Sequence, residues 1–373
     1  MGKKLVKRKS GSDFQLISIV LALLGYGLAV LYSASTVTSF NNFGNTGYYI
    51  THQLIYGAAF GLAVMFIISK IDYHLWQKYL PLLIFASLIL LALVKVPGLG
   101  FASGGATRWL HIGPLLFQPA ELAKLAIIFY LAAWADKKKN QLSDFSFGLL
   151  PSLVIVGLYA LLILWQPDLG TMLVLLLVAF AMLLVAGMGW KHVFYSTLAA
   201  VLSLYLLIKI EPYRAKRLTT FLNPDHDTGG ISYQINQALL AIGSGGFLGF
   251  GYGLSRQKHN YLPEVMTDSI FAVMAEELGF LRILFALALF VLFAFKGFSI
   301  AKKAPDTFGR MVAFGITCWI VFQACINIGA IVGLLPLTGI PLPFFSYGST
   351  ALVLNLAAIG ILLNISGYKS SAA

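Results

Sequence analysis

The chain is 373 residues long, 59% hydrophobic and only 11% charged, with a mean hydropathy of +0.84 and a formal net charge of +12. Soluble domains carry about a quarter of their residues as charges, and no soluble core of this size could bury so much apolar surface, so the composition excludes an ordinary soluble enzyme and indicates a polytopic membrane protein. The basic excess then reads as orientation in a bilayer, and no nucleic-acid partner is expected.

The opening, MGKKLVKRKSGSDF, is basic and leads straight into about twenty apolar residues. That is longer than the apolar core of a cleaved signal peptide, so residues 1–13 are expected to be a cytoplasmic tail before an uncleaved first span. Val6 stands where a myristoylation signal needs Ser or Thr. Segments long and apolar enough to cross a bilayer lie near 14–36, 48–69, 75–95, 119–135, 147–165, 170–188, 192–210, 269–295, 311–333 and 348–367. The expectation is an all-α polytopic integral membrane protein of about ten transmembrane helices, forming one domain over 1–373. With the N-terminus inside, sixteen Lys and Arg fall in inner segments and six in outer ones, which puts both termini in the cytoplasm.

Five of the six outer basic residues lie in one connection, 211–268, between the seventh and eighth helices. A loop of that length is usually functional, and it is expected to be a large extracytoplasmic loop. Within it, ISYQINQALLAIG places Ile231, Ile235, Ala238, Leu239 and Ile242 on one helical face, suggesting a helix in or near the interface. The following GSGGFLGFGYG does not fit a dinucleotide fingerprint and predicts backbone bent close to a substrate or another helix. Cys318 and Cys325 are seven residues apart in one apolar run, too far for a disulfide on a helix, and indicate neither a redox centre nor zinc.

Charges inside a bilayer are costly and mark function or a buried pair. Asp268 sits where the outer loop enters the eighth helix; it can be a helix N-cap, or a positioned carboxylate serving as general base or metal ligand. Glu276 and Glu277 follow on that helix. Treated as unbroken, it points them to different faces, and structural roles are expected, one of them paired with a base such as Lys124 or protonated. Glu121 and Lys124 lie three apart on the fourth helix, either as a self-satisfied ion pair or as a cationic lining for an anionic substrate, with Arg108 just before them. Asp168, in WQPDLG, reads first as a helix cap. The proline-rich LLPLTGIPLPFFSYGSTAL must be buried in protein or line a cavity. All of these map to the outer half, so one outward-opening polar chamber between helices is expected.

GATRWLHIGPLLFQPAELAK, WQPDLG, NPDHDTGGISYQINQALLAIGSGGFLGFG, LPEVMTDSIFAVMAEELGF and GIPLPFFSYGST, in this order, resemble the SEDS family (shape, elongation, division and sporulation), over about residues 12–367. SRQKHNYLPEV and TDSIFAV are nearer the FtsW branch than the RodA branch; Ser349 and Ala120 depart from common family residues. The resemblance implies a peptidoglycan glycosyltransferase at the outer face of the bacterial cytoplasmic membrane, polymerising lipid II, a disaccharide-pentapeptide on undecaprenyl pyrophosphate, with inversion. It implies Asp268 as the essential carboxylate, with Mg2+ or Mn2+ as a possible divalent cation there. Arg108, Lys124 and Lys258 would face the diphosphate, and Glu121, Asp168, Gln118 and Ser346 complete the expected substrate-binding set. The expected partners are a single-span class B penicillin-binding protein, a transpeptidase, and divisome or elongasome components. The competing readings are a lipid II flippase, which needs polar groups at both ends of its path, and a scaffold without chemistry of its own.

Overall fold

The computed structural model describes residues 13–103, 105–113, 115–138, 145–210, 212–222 and 230–368. The basic tail and part of NPDHDTGG lie outside the described residues. Helix α1 (Phe14–Phe43) starts on Asp13, whose carboxylate accepts from Leu16 N–H at 3.2 Å. The second span runs over Tyr48–Lys70 as α2 (Tyr48–His52), a π-helical turn over Gln53–Ala59 and α3 (Phe60–Lys70). Short α4 (His74–Lys78) precedes α5 (Leu80–Leu93). After the segment that follows come α6 (Pro119–Lys137), α7 (Leu150–Trp165), α8 (Leu169–Val185) and α9 (Trp190–Ile210). The long connection holds α10 (Pro212–Leu222) and α11 (Ile231–Gly245), and the chain ends with α12 (Ile270–Lys303), α13 (Thr307–Ile331) and α14 (Ser349–Ser366).

Each of the ten segments picked out by apolar length is helical. Among the described residues six helices are long and apolar enough to cross a membrane; α5, α7 and α8 are shorter apolar helices. The remaining one, α6, carries Glu121, Lys124, Asp136 and Lys137. The protein is mostly helical and polytopic, as expected. Its centre is α13, whose most apolar stretch is 72% buried against α12, α6 and α8, while the corresponding stretch of α9 has no fully buried residue among those described. An apolar periphery of this kind, with Leu82, Phe194 and Val201 exposed, suits lipid contact and would be unstable in water.

Three features depart from the sequence expectation. First, residues 100–117 are not a plain connection but an antiparallel sheet of β1 (Gly100–Ser103), β2 (Ala106–Ile112) and β3 (Leu115–Phe117), in the order β1-β2-β3. Its strands are too short to stand out beside twenty-residue apolar runs, although Thr107, Trp109 and His111 alternate with Arg108 and Leu110 in a period of two. Second, the 211–268 connection is largely folded. Ile235, Ala238 and Ala241 of α11 are buried, with α12 its main neighbour, whereas Leu239 is 40% exposed, so the packed face is rotated from the predicted one. Third, α12 is broken at Gly279, whose φ of 72° and ψ of 177° are not helical.

The break explains the glycine-rich stretch. Phe250 N–H and Gly251 N–H donate to the carbonyls of Glu276 and Glu277 at 3.0 and 2.9 Å, and Phe280 N–H donates to Gly246 O at 2.9 Å. Those carbonyls would otherwise be orphaned in an apolar setting, which is costly. Of the two readings of this stretch, close approach to another helix is the one the fold adopts.

Candidate functional site

Asp268 lies two residues ahead of α12 and does not cap it. The cap position is Ser269, and its side chain makes no capping bond. The Asp268 carboxylate instead accepts from neutral groups, Gln234 Nε2 at 3.4 Å and Thr267 Oγ1 at 3.3 Å. Both bonds are long, so the carboxylate is held without being saturated. It is half-buried. Loss of hydration, and then the Glu264 carboxylate, push its pKa up to about 6. That is where a general base working near neutrality is most effective.

The backbone around Asp268 is pinned by the irregular segment between α13 and α14. Asn327 Nδ2 donates to Asp268 O at 2.9 Å and to Ile340 O at 2.8 Å. Ser346 Oγ donates to Thr267 O at 2.5 Å and accepts from Leu342 N–H at 2.8 Å, and Tyr347 N–H donates to Met266 O at 2.7 Å. Leu337, Ile340, Leu342, Phe344 and Phe345 are buried, so this proline-rich backbone is enclosed by protein, as its composition predicts.

A second polar cluster stands at the start of α6 and α8. Asp168 caps α8, accepting from Thr171 N–H at 3.1 Å and Thr171 Oγ1 at 2.9 Å, and Gln118 Nε2 donates to it at 3.2 Å. Arg108, delivered by β2, donates from Nη2 to Pro167 O at 2.5 Å, while its buried Nε has no partner. Lys124 is buried, 2.7 Å from both Glu121 Oε1 and Gln323 Oε1, with its ammonium 4.7 Å from the Trp319 ring centroid. Of its two sequence readings, the self-satisfied pair describes its immediate contacts. Glu121 Oε2 is buried without a partner.

The two clusters are joined through the α13–α14 segment. Gln323 Nε2 donates to Pro341 O at 3.0 Å, linking Lys124 to that segment. A Cβ built on Gly170 would lie 2.4 Å from Ile340 Cγ2, so the Asp168 turn packs directly onto the same backbone. Arg108, Gln118, Glu121, Lys124, Asp168, Asp268 and Ser346 are thus brought onto one connected framework. Two cavities, of about 320 and 250 Å³, border Lys302, Lys303 and Arg310 at the far end of α12.

Lys258 belongs elsewhere, which corrects its assignment to substrate. Its ammonium is buried, donating to Glu277 Oε1 at 2.9 Å, Ser33 Oγ at 3.0 Å and Gly253 O at 2.7 Å. The base that pairs with this glutamate is therefore Lys258 and not Lys124. Glu276 accepts from Ser255 Oγ at 2.5 Å and from the N–H groups of Arg256 and Gln257. Three further residues shape the site that sequence reasoning did not single out: Gln234, Gln323 and Asn327. Gln323 and Asn327 carried a readable signal, two polar amides four apart on one face of an apolar span.

Comparison with known proteins places this geometry. The sequence profile of the FtsW/RodA/SpoVE family, described as cell cycle proteins, matches residues 14–371. The chain is 42% identical over 362 residues to Stage V sporulation protein E of Bacillus subtilis, covering 97% of this chain and 99% of that one. It is 40% identical to a protein of Trichlorobacter lovleyi named "Probable peptidoglycan glycosyltransferase FtsW", covering 95% and 93%. Among solved structures it matches a chain of a peptidoglycan synthase complex, described as coordinating polymerization and crosslinking, with a TM-score of 0.80 and 29% identity over 95% of this chain and 98% of that one. The motifs, the helical architecture and the profile agree that the chain belongs to the FtsW/RodA/SpoVE family, the SEDS proteins.

Proposed function

We propose that this chain is a membrane glycosyltransferase that polymerises lipid II into glycan strands. The observation that carries the reading is Asp268: a half-buried carboxylate with neutral hydrogen-bond donors and a pKa raised to about 6, fixed through its backbone by Asn327. A carboxylate kept for structure is normally paired or saturated, as Glu276 and Glu277 are here.

In the reaction, the acceptor sugar hydroxyl gives its proton to Asp268 while its oxygen attacks the anomeric carbon of the donor. The bond from that carbon to the diphosphate oxygen breaks with inversion, in one displacement and without a sugar–enzyme intermediate. Negative charge grows on the leaving diphosphate and needs cations placed in advance. Arg108 presents such a charge at the edge of the framework, anchored on Pro167 O.

The site also suits a divalent cation, Mg2+ or Mn2+. Thr267 Oγ1 bridges Glu264 Oε2, at 2.6 Å, and Asp268 Oδ1, so two carboxylates stand side by side. Among the described residues no group of three or more metal-ligating side chains occurs, so substrate oxygens and water would complete the shell. Bound there, the ion would neutralise diphosphate charge.

Both termini are placed in the cytoplasm and Asp268 on the extracytoplasmic side, because the basic residues concentrate in the connections on the N-terminal side of the bilayer. The similar synthase complex, described as coordinating polymerization and crosslinking, supports a crosslinking partner, read here as a class B penicillin-binding protein. The test is polymerisation of purified lipid II by the chain with its transpeptidase partner, with and without chelator, for wild type and Asp268→Asn. Loss of polymer in the variant is expected; full polymerisation by it would remove Asp268 from the mechanism.

A further inference from the structure

Three cations stand at the end of α12 away from Asp268. Among the described residues, the side chains of Lys302, Lys303 and Arg310 are exposed and have no hydrogen-bond or ion-pair partner. Lys302 and Arg310 line the cavity of about 320 Å³, together with Asp306 and Thr307. Lys303 lines the one of about 250 Å³, with Asp13 and Lys296. The carboxylates there are already engaged. Asp306 accepts from the Tyr73 hydroxyl and from Gly309 N–H at 2.7 Å, and lies 3.5 Å from His74 Nε2. Asp13 is paired with Lys296 at 2.9 Å. Positive charge is therefore in surplus at both cavities. An apolar stripe leads away from Lys302 along α12. Phe298, Phe295 and Val291 precede it by four, seven and eleven residues, the spacing of one helical face, and are 38%, 70% and 52% exposed. A lipid-facing strip thus ends in a cation beside a cavity, which is the outline of an amphiphile with an anionic head.

We propose that the turn between α12 and α13 binds an anionic phospholipid of the leaflet on the N-terminal side of the bilayer. The headgroup phosphate sits in the cavity between Lys302 and Arg310, and an acyl chain lies along Phe298, Phe295 and Val291. A basic pocket between helix ends on that side is the arrangement that holds anionic headgroups. The cavity is at the lower end of the size range of small-molecule sites. It suits a phosphate with its glycerol and not a whole lipid, so the tail must lie outside, where the stripe is. A free phosphate would use the cations and leave the stripe without a role. Orientation in the bilayer requires positive charge on this side but no cavity. Lys137 and Lys191 meet that requirement: both are exposed, fall in segments on the same side and border neither cavity. The inference is independent of the chemistry at Asp268.

The experiment titrates the full chain in detergent with phosphatidylglycerol or phosphatidylcholine and counts bound lipids by native mass spectrometry. It compares wild type, the double variant Lys302→Gln with Arg310→Gln, and the double variant Lys137→Gln with Lys191→Gln. All four side chains are exposed, so neither pair of changes removes a buried contact, and both remove the same charge. Wild type is expected to bind its first phosphatidylglycerol about tenfold or more tighter than phosphatidylcholine. The Lys302 and Arg310 changes are expected to weaken that binding by about ten- to thirtyfold, and the Lys137 and Lys191 changes by about twofold at most. Equal losses in the two double variants would overturn the proposal, since charge alone would then account for the lipid. Equal affinity of wild type for the two lipids would do the same. Glycerol 3-phosphate is added as a competitor and is expected to leave the lipid bound; displacement at matching concentration would assign the cavity to a soluble phosphate and overturn the lipid. The titration is repeated with the transpeptidase partner present. Exclusion of the lipid by that partner would give the cavity to a protein segment and likewise overturn the proposal.

Discussion

Within ten residues of one another the chain places two kinds of carboxylate. Glu277 is buried, ion-paired to Lys258 and bonded to Ser33 and to the N–H groups of Gly253 and Ser255. Glu276 is likewise buried and saturated by Ser255, Arg256 and Gln257. Together they tie the glycine-rich stretch to the broken helix α12. Asp268 has two long bonds from neutral donors and partial exposure. The difference teaches that function here follows unfinished satisfaction and not charge as such. A carboxylate with all its lone pairs used holds a fold together; one left short of partners in a rigid, half-buried frame can take a proton.

That contrast can be broken by exchanging readouts. Asp268→Asn should lower polymerisation by about two to four orders of magnitude, the share a general base supplies, and leave the thermal unfolding temperature in detergent unchanged or higher. The sign follows from the raised pKa. The folded state holds its proton more tightly than the unfolded chain, so ionised Asp268 costs stability as pH rises from the usual carboxylate range through about 6, and the neutral amide escapes that cost at pH 7. A large fall in unfolding temperature would mean that Asp268 is structural after all.

Glu277→Gln should do the reverse. It strands the Lys258 ammonium in a buried site, at a cost of about 3–5 kcal/mol, seen as poor yield and early unfolding. The double change Lys258→Met with Glu277→Gln should recover part of that loss, and activity with it, because the amide oxygen can still accept from the Gly253 and Ser255 N–H groups. Normal stability in the single variant would show that water reaches the pair.

Smaller effects sharpen the same line. Lipid II polymerisation should fall about tenfold between pH 7 and pH 5 as Asp268 protonates through about 6; a flat profile over that range would separate the carboxylate from the rate. Ser346→Ala removes the hydroxyl that joins Thr267 O to Leu342 N–H. It should cost about 1 kcal/mol in stability and roughly fivefold in rate, with the defect in kcat, because the residue positions Asp268 without being expected to touch the proton. A pure KM effect would instead put Ser346 on the substrate.

The helices were legible because bilayer-length apolar runs are a local signal: each of those runs is helical, six of them at membrane-crossing length among the described residues. Asp268, Asp168 and the Glu121–Lys124 pair were also legible, since a carboxylate in an apolar setting must be explained from its own neighbourhood. Lys258 was misread because its partner lies nineteen residues away across a bent backbone, and sequence carries no distance between them. The break at Gly279 escaped for a related reason. Its neighbours favour helix, and only the incoming N–H groups of the glycine-rich stretch make the interruption affordable.

Sequence by itself determined that the chain is a bundle of apolar helices with an acidic residue, Asp268, at the mouth of one of them, because hydrophobic periodicity and the cost of burying charge act residue by residue. The tertiary structure alone decided which partners Lys124 and Lys258 take and how the backbone of Asp268 is held. Those outcomes depend on close approach between α6, α12, α13 and the α13–α14 segment, and contacts between groups far apart in the chain exist only after it has folded.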